Sequence, residues 1–155
     1  MLQLVDRLGL QGRTRRAAVE GALLHDVGKL LVDDSILSKP GPLTPDERRQ
    51  VDRHPVEGDL LVRGAVDADV ADVVRAHHER WDGAGYPYGL LRNEIPLAAR
   101  LVAVADAYQA MLEERPYRHA RTKDEALDEL SACAGSQFDP ACVAALVALV
   151  RDPVA

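Results

Sequence analysis

Four of the five histidines in this sequence lie beside a carboxylate, another histidine or a helix-breaking residue. His25 is followed by Asp26, His54 precedes a proline, and His77 is followed by His78. Imidazole nitrogens and carboxylate oxygens are ligands for zinc, iron, manganese and nickel. A carboxylate has two oxygens and can bridge two metals. The His25–Asp26 pair therefore indicates a two-metal site, in which ions about 3.5–4 Å apart hold hydroxide and a phosphate oxygen.

Each of these residues also has an ordinary structural explanation. A single histidine near the C-terminal end of a helix often contacts the last carbonyl groups. Asp106 lies among alanines and valines, and it could face solvent or pair with Arg100 or Lys123. A carboxylate in an apolar helix is costly to bury unless something compensates its charge. Because the structural explanation must hold at every position at once, the pattern as a whole favours a metal site.

The composition is that of an ordinary globular domain. The chain has 155 residues, of which 47% are hydrophobic and 28% are charged, and this length is about one domain. The net charge of −6 without a basic block disfavours a nucleic-acid polymer as partner. No apolar run reaches the roughly 18 residues of a membrane span, so no membrane contact is predicted. The two cysteines, Cys133 and Cys142, cannot form a disulfide framework and fit a reducing cytoplasm.

Capping signals predict where three helices begin. Thr44-Pro45-Asp46-Glu47 combines an N-cap threonine, a proline at the first helical position and a glutamate that completes a capping box. We expect the helix that follows to run to about Val62. Thr122-Lys123-Asp124-Glu125 is a second capping box, and Asp139-Pro140 is a third helix start.

The remaining pattern predicts more helices and one long loop. Pro96 opens a helix in which Leu97 and Leu101 face inward. Three glycines and a proline within Trp81 to Ile95 indicate a loop. Together these signals predict an all-α protein, a single-domain irregular bundle of about six helices across residues 1–155.

Ordered motifs along the chain give a family resemblance. The segment 23–29, LLHDVGK, resembles the signature of the HD superfamily of metal-dependent phosphohydrolases. The later motifs resemble, in content and order, those of the HD-GYP family: HPVEG at 54–58, HHERWDGAGYP at 77–87, IPLAAR at 95–100, VAD at 104–106, RPYR at 115–118 and QFDP at 137–140. One His-Asp pair is weak evidence, but the ordered set is specific and covers nearly the whole chain.

The resemblance implies a fold, an activity and a set of site residues. It implies an HD-domain-like helical fold and hydrolysis of cyclic di-GMP, a bacterial second messenger, to pGpG, GMP or both. The implied cofactor is a binuclear divalent metal site, with iron or manganese favoured over zinc or nickel. One metal would be held by Asp26, His54, His77 and His78, and the other by His25, Asp26 and Asp106, with Asp26 bridging.

The same resemblance assigns the substrate contacts. Asp26 and Lys29 take catalytic roles, and Lys29 also meets a substrate phosphate. Arg115 and Arg118 offer forked donors to phosphate, and Tyr86 shapes the guanine-side pocket. The structural alternatives are a solvated face for the two arginines and loop packing for the tyrosine.

The chain departs from the family pattern near its start. Members of the family carry a further histidine one helix before the His-Asp pair, whereas this sequence has none before His25. We therefore expect the first helix of the family to be missing or cut short, and the metal position held by His25 and Asp106 to be weak.

Two alternative functions follow from this departure. The first is a catalytically impaired module that binds a cyclic dinucleotide or another protein, and the second is a different HD-type phosphohydrolase. The expected partners are the cyclic dinucleotide, a sensory or receiver domain or another protein, and a second copy in a homodimer.

Overall fold

Helices make up the regular structure of this chain. The computed structural model describes residues 1–114 and 119–152, and within these ranges it contains nine α-helices, two 3₁₀ helices and no β-strand. The α-helices are α1 (Leu2–Arg7), α2 (Gly12–Leu24), α3 (Asp34–Leu37), α4 (Pro45–Val51), α5 (His54–Val62), α6 (Ala68–Ala76), α7 (Leu97–Leu112), α8 (Lys123–Ala132) and α9 (Pro140–Arg151). The 3₁₀ helices are Val27–Leu31 and Arg92–Glu94. Six of the α-helices have nine residues or more, and the predicted all-α bundle is confirmed.

The three predicted helix starts are confirmed by side-chain caps. The hydroxyl of Thr44 accepts a hydrogen bond from the Glu47 N–H, and that of Thr122 accepts one from the Glu125 N–H, each within a complete capping box. The Asp139 carboxylate accepts one from the N–H of the second residue of α9. Such caps satisfy backbone donors that have no partner within the helix, and each contributes about 1 kcal/mol.

The prediction of one helix from Pro45 to Val62 is wrong, because the helix ends at Val51 and a new one begins at His54. Pro55 has no N–H to donate to the Val51 carbonyl, so a continuous helix would leave that carbonyl unbonded. The His54 ring takes the place of the missing donor, with Nδ1 lying 2.7 Å from the Val51 carbonyl oxygen. The break therefore fixes the orientation of a candidate ligand.

Helix α7 crosses the centre of the molecule and is buried on two faces. Leu101 and Val104 pack into a cluster with side chains of α8 and α9, whereas Ala98 and Val102 pack into a second cluster with side chains of α2 and α6. Leu97, predicted to face inward, is instead 36% exposed because it occupies the first position of the helix, above the core. Burial on two faces holds Asp106, on the same helix, at a defined position.

Close backbone contacts bring the segment after α2 against α5. A Cβ atom at Gly28 would lie 2.0 Å from the His54 carbonyl oxygen and 2.6 Å from the Gly58 nitrogen. Only glycine allows such approaches. They place the 3₁₀ helix Val27–Leu31 directly on α5, so that Asp26 faces His54.

None of the helices within the described ranges is both long and apolar enough to cross a lipid bilayer.

Candidate metal centre

Four predicted ligands meet at one point in the fold. Asp26 lies in the turn after α2, His54 begins α5, and His77 and His78 follow the last residue of α6. One ligand atom from each of these four residues lies within 4.8 Å of the ligand atoms of the other three. The structure thus brings together residues that lie far apart in the sequence.

The orientation of three histidine rings follows one rule. His25, His54 and His77 each place Nδ1 within 2.7–2.9 Å of the carbonyl oxygen three residues earlier, in Ala22, Val51 and Val74. Because a carbonyl oxygen only accepts, Nδ1 carries the hydrogen and donates it. In the neutral ring Nε2 then holds a free lone pair, which is the tautomer that ligates a metal.

The atoms at the centre of this cluster are acceptors without donors. Nε2 of His54 lies 3.2 Å from Nε2 of His77, and Asp26 Oδ1 lies 3.3 Å from the first and 4.0 Å from the second. Among the described residues, this buried Oδ1 has no hydrogen-bond partner. Lone pairs that face one another at such distances repel, and a cation between them would remove the repulsion. The donor set therefore fits a divalent transition metal.

Burial keeps His77 and His78 neutral. It lowers the pKa of His77 to about 2 and that of His78 to about 4, and nearby imidazoles add to both effects. Burial by itself would raise the pKa of Asp26, but opposing interactions, among them the hydrogen bond from the Lys29 ammonium, outweigh it and hold the pKa below its usual range. At neutral pH His77 and His78 are consequently uncharged and Asp26 is ionised, and these are the forms that bind metals.

A second set of predicted ligands adjoins the first. Nε2 of His25 lies 3.5 Å from Asp26 Oδ2 and 3.7 Å from Asp106 Oδ1, the latter on α7. Burial acts to lower the pKa of His25, but the interaction with the Asp106 carboxylate outweighs it, and the pKa is raised. The same interaction holds the pKa of Asp106 below its usual value. Asp26 is common to both sets, with Oδ1 directed to one and Oδ2 to the other.

Lys29 is part of the same cluster. Its ammonium donates a hydrogen bond of 2.6 Å to Asp26 Oδ2. The side chain that the resemblance assigns to a substrate phosphate is thus bonded to the carboxylate that both ligand sets share.

The predicted loop from Trp81 to Ile95 is confirmed, apart from the single 3₁₀ turn, and it carries Tyr86 to the site. The Tyr86 ring stacks on the His78 ring, with 4.9 Å between centroids and 23° between planes. The backbone N–H of Tyr86 donates a hydrogen bond of 3.2 Å to the His78 carbonyl oxygen. Burial raises the pKa of the Tyr86 phenol, and the charge of Asp52 raises it further. Arg115 and Arg118, the predicted phosphate contacts, lie outside the described residues.

Two residues near the site were not singled out from the sequence. Asp52, at the end of α4, acts on the phenol of Tyr86. Glu79 is 4% exposed and bonds the loop backbone. A signal was available for Glu79, because it is a charged residue placed between two candidate ligands and a glycine-rich loop. No local pattern indicated Asp52, because its partner Tyr86 lies in a distant segment of the chain.

Comparison with known proteins identifies relatives of this chain. It is 46% identical over 147 residues to the cyclic di-GMP phosphodiesterase response regulator RpfG of Xanthomonas campestris, covering 93% of this chain and 39% of the relative. It is 43% identical over 152 residues to the cyclic di-GMP phosphodiesterase PA4108 of Pseudomonas aeruginosa, covering 97% and 36%. It is also 42% identical to the 3'3'-cGAMP-specific phosphodiesterase 3 of Vibrio cholerae, covering 81% and 27%. The chain thus spans less than half the length of these relatives.

Solved structures agree on the fold. A cyclic GMP-AMP specific phosphodiesterase of Vibrio cholerae superposes with a TM-score of 0.75 at 20% identity, covering 98% of this chain and 42% of the other. Bd1817, an HDG"Y"P protein of Bdellovibrio bacteriovorus, superposes with a TM-score of 0.76 at 23% identity, covering 96% and 48%. The family model described as HD domain matches residues 1–142. The predicted resemblance is confirmed, and the chain belongs to the HD domain family.

Proposed function

We propose that this chain is a metal-dependent phosphodiesterase domain that hydrolyses cyclic di-GMP to pGpG, GMP or both. The observation that carries the proposal is the convergence of Asp26 Oδ1 with the Nε2 atoms of His54 and His77, an arrangement of acceptors that a cation would satisfy. The relatives named as cyclic di-GMP phosphodiesterases support the choice of substrate. Because the chain spans only part of those relatives, activity of this chain by itself belongs to the proposal.

The proposed metal ligands form two sets that share one carboxylate. Asp26, His54, His77 and His78 would hold one ion, and His25, Asp26 and Asp106 would hold the other. Bound divalent ions lower the pKa of water into the neutral range and neutralise the charge that develops on phosphate oxygens. We propose iron or manganese over zinc or nickel, as the family resemblance implies.

Other residues would bind and orient the substrate. Lys29 places a positive point charge beside Asp26, where it would be shared with a substrate phosphate. Arg115 and Arg118 are proposed to donate to phosphate oxygens. Tyr86, held on His78, would form one wall of the base pocket, because an aromatic face is a platform for a purine ring.

A binding module without turnover is the second candidate. Lys29 bonds Asp26 Oδ2, the oxygen that the second ion would use, and the second ligand set has one imidazole only. A protein that holds one ion would keep the phosphate-binding cations but lack the second metal, and it would act as a sensor of the dinucleotide.

Metal content and turnover together separate the two candidates. The protein is purified, its metals per chain are measured by elemental analysis, and it is loaded with manganese or iron before incubation with cyclic di-GMP, 3'3'-cGAMP and a mononucleotide. We expect about two ions per chain and release of pGpG, and we expect His77→Ala to abolish release. His119→Ala is the matched control, since the His119 side chain is 99% exposed. One ion per chain with tight binding and no turnover would establish the binding module instead, and preference for the mononucleotide would overturn the substrate.

Regulation and location are also part of the proposal. The Xanthomonas relative is named a response regulator, which supports a sensory or receiver domain as the controlling partner. The two cysteines are free thiols, and free thiols fit the cytoplasm in which we propose that the protein acts.

A further inference from the structure

Glu79 is a buried carboxylate whose two oxygens bond the backbone of the loop that carries Tyr86. It directly follows the candidate ligand His78 and is 4% exposed. Its Oε1 accepts a hydrogen bond of 2.7 Å from the Tyr88 N–H, and its Oε2 accepts one of 2.9 Å from the Leu90 N–H. A carboxylate that accepts two backbone N–H groups forms charge-assisted hydrogen bonds, which are shorter and stronger than neutral ones.

These bonds act on a loop that its own sequence leaves loose. Gly83 and Gly89 have φ values of +77° and +66°, which other residues rarely adopt. Glycine at these positions gives the unfolded loop many conformations, so ordering it is costly in entropy. The loop is closed at its base by the backbone pairing of Asp82 with Leu91. Between Asp82 and Leu91, the Glu79 carboxylate fixes the backbone at Tyr88 and Leu90, the two residues that flank Gly89.

The loop also lies directly on the backbone around Glu79. A Cβ atom at Gly85 would lie 2.3 Å from the Arg80 nitrogen and 2.6 Å from the Glu79 Cα. The next residue, Tyr86, donates its N–H to the His78 carbonyl oxygen and stacks on the His78 ring. The position of Tyr86 relative to the metal centre therefore depends on how the loop packs against residues 78–80.

The contacts of Glu79 are not those of a metal ligand. The four-residue ligand group among the described residues comprises Asp26 and three histidines, and both oxygens of Glu79 already accept backbone hydrogen bonds. Its bonds run along the loop, toward Tyr88 and Leu90.

We propose that Glu79 is a positioning residue that fixes the loop of residues 82–91, so that Tyr86 stays on His78 as a ready-made wall for a substrate base. This inference rests on the proposed function. Preorganised contacts increase affinity because the binding partner does not have to order them. Loss of the Glu79 carboxylate should therefore weaken binding of a dinucleotide while leaving the metal centre able to hydrolyse a phosphodiester that carries no base.

The test compares two substrates in the metal-loaded protein. Cyclic di-GMP requires both the metal centre and the base pocket, whereas bis(p-nitrophenyl) phosphate requires the metal centre alone. Glu79→Gln keeps the shape of the side chain but replaces one acceptor oxygen with an NH₂ group, which faces a backbone N–H. For Glu79→Gln we expect a KM for cyclic di-GMP about tenfold or more above that of the unmodified protein, with kcat changed less than about twofold. Metal content and the rate on bis(p-nitrophenyl) phosphate should stay the same.

Glu94→Gln is the matched control. Glu94 is exposed, and its carboxylate accepts a hydrogen bond from the N–H of Leu91, the last residue of the same loop. The same chemical change there should leave both substrates unaffected. Glu79→Asp keeps two acceptor oxygens on a shorter stem and should restore part of the affinity lost in Glu79→Gln.

Three outcomes would overturn the proposal. An unchanged KM for cyclic di-GMP in Glu79→Gln would show that the carboxylate has no positioning role. A parallel loss of metal, or of activity on bis(p-nitrophenyl) phosphate, would place Glu79 in the metal centre instead. For the case in which Glu79→Gln does not fold, hydrogen exchange of the unmodified protein, resolved by residue, gives an independent test. We expect the Tyr88 and Leu90 amides to be protected from exchange. Exchange at the rate of an unfolded chain would show that Glu79 does not fix the loop.

Failure of the proposed function has a different signature. In that case the unmodified, metal-loaded protein hydrolyses neither substrate. The amide protection at Tyr88 and Leu90, together with the affinity of each variant for cyclic di-GMP measured by calorimetry, would still test the role of Glu79.

Discussion

The Nε2 atoms of His54 and His77 lie 3.2 Å apart, and the Nδ1 of each ring is already bonded to a backbone carbonyl. In the neutral state neither ring has a hydrogen to donate to the other, so two lone pairs face each other inside the protein. A bound cation converts this repulsion into coordination. Protonation of one ring also removes it, but at the expense of a buried charge.

Metal binding should therefore stabilise the fold. A ligand that binds only the folded state contributes about 2.7 kcal/mol at a concentration a hundredfold above its Kd. For a domain of this size the melting temperature should rise by roughly 5–10 °C with manganese or iron, as measured by calorimetry. His54→Ala should reduce the rise, whereas His119→Ala should keep it. If no divalent ion shifts the melting temperature of the unmodified protein, the ligand cluster does not bind metal.

The metal-free protein should lose stability in mild acid. Burial lowers the pKa of His78 to about 4 and that of His77 to about 2, whereas both rings titrate near 6.5 in the unfolded chain. Below about pH 6.5 the unfolded state takes up protons that the folded state does not, so stability falls as the pH drops from 6.5 toward 4. Asp26, whose pKa is lowered, loses its contribution only below this window.

Melting curves of chelator-treated protein between about pH 6.5 and 4 test whether the buried imidazoles cause this loss of stability. His78→Asn should flatten the decline, because the substituted side chain takes up no proton. His119→Asn removes an exposed imidazole and should leave the decline unchanged. An equal slope in the two variants would mean that His78 does not contribute to the pH dependence.

Removal of the Asp106 carboxylate should separate the two ligand sets. Asp106 contacts His25 but is not one of the four residues that form the first ligand set with Asp26. Asp106→Ala should lower the metal content from two ions per chain to one. It should also decrease turnover of cyclic di-GMP by at least about 10–100-fold. Gln109→Ala, an exposed position one turn along the same helix, is the control. Two ions retained in Asp106→Ala would exclude this carboxylate as a ligand.

The substitution Gly28→Ala should disrupt the site by forcing two backbone segments apart. The added Cβ would lie 2.0 Å from the His54 carbonyl oxygen, and the 3₁₀ helix and α5 would have to separate. Overpacking of this kind destabilises by typically 1–3 kcal/mol, and it would also move His54 away from Asp26. Gly41→Ala, where nothing lies within 4 Å of the added atom, should be neutral. Denaturant unfolding and metal content are the measurements, and equal values for the two variants would contradict the packing argument.

The loop of residues 82–91 shows how far local patterns reach. Its glycines predicted a loop correctly, but they gave no information about which side chain fixes the loop backbone. The answer is Glu79, whose carboxylate bonds the N–H groups of residues 9 and 11 positions later. Such bonds depend on where the chain returns in space, and no spacing rule for helices or turns describes them.

The sequence by itself determined the helix starts at Thr44, Thr122 and Asp139 and the types of residue available to bind a metal. Capping is decided within three residues, because the side chain and the N–H that it accepts belong to the same turn. The tertiary structure alone decided the exposure of Leu97 and the convergence of Asp26 with three histidines. These features depend on contacts between segments distant in the chain, and the free energy of such contacts is set by packing rather than by local propensity.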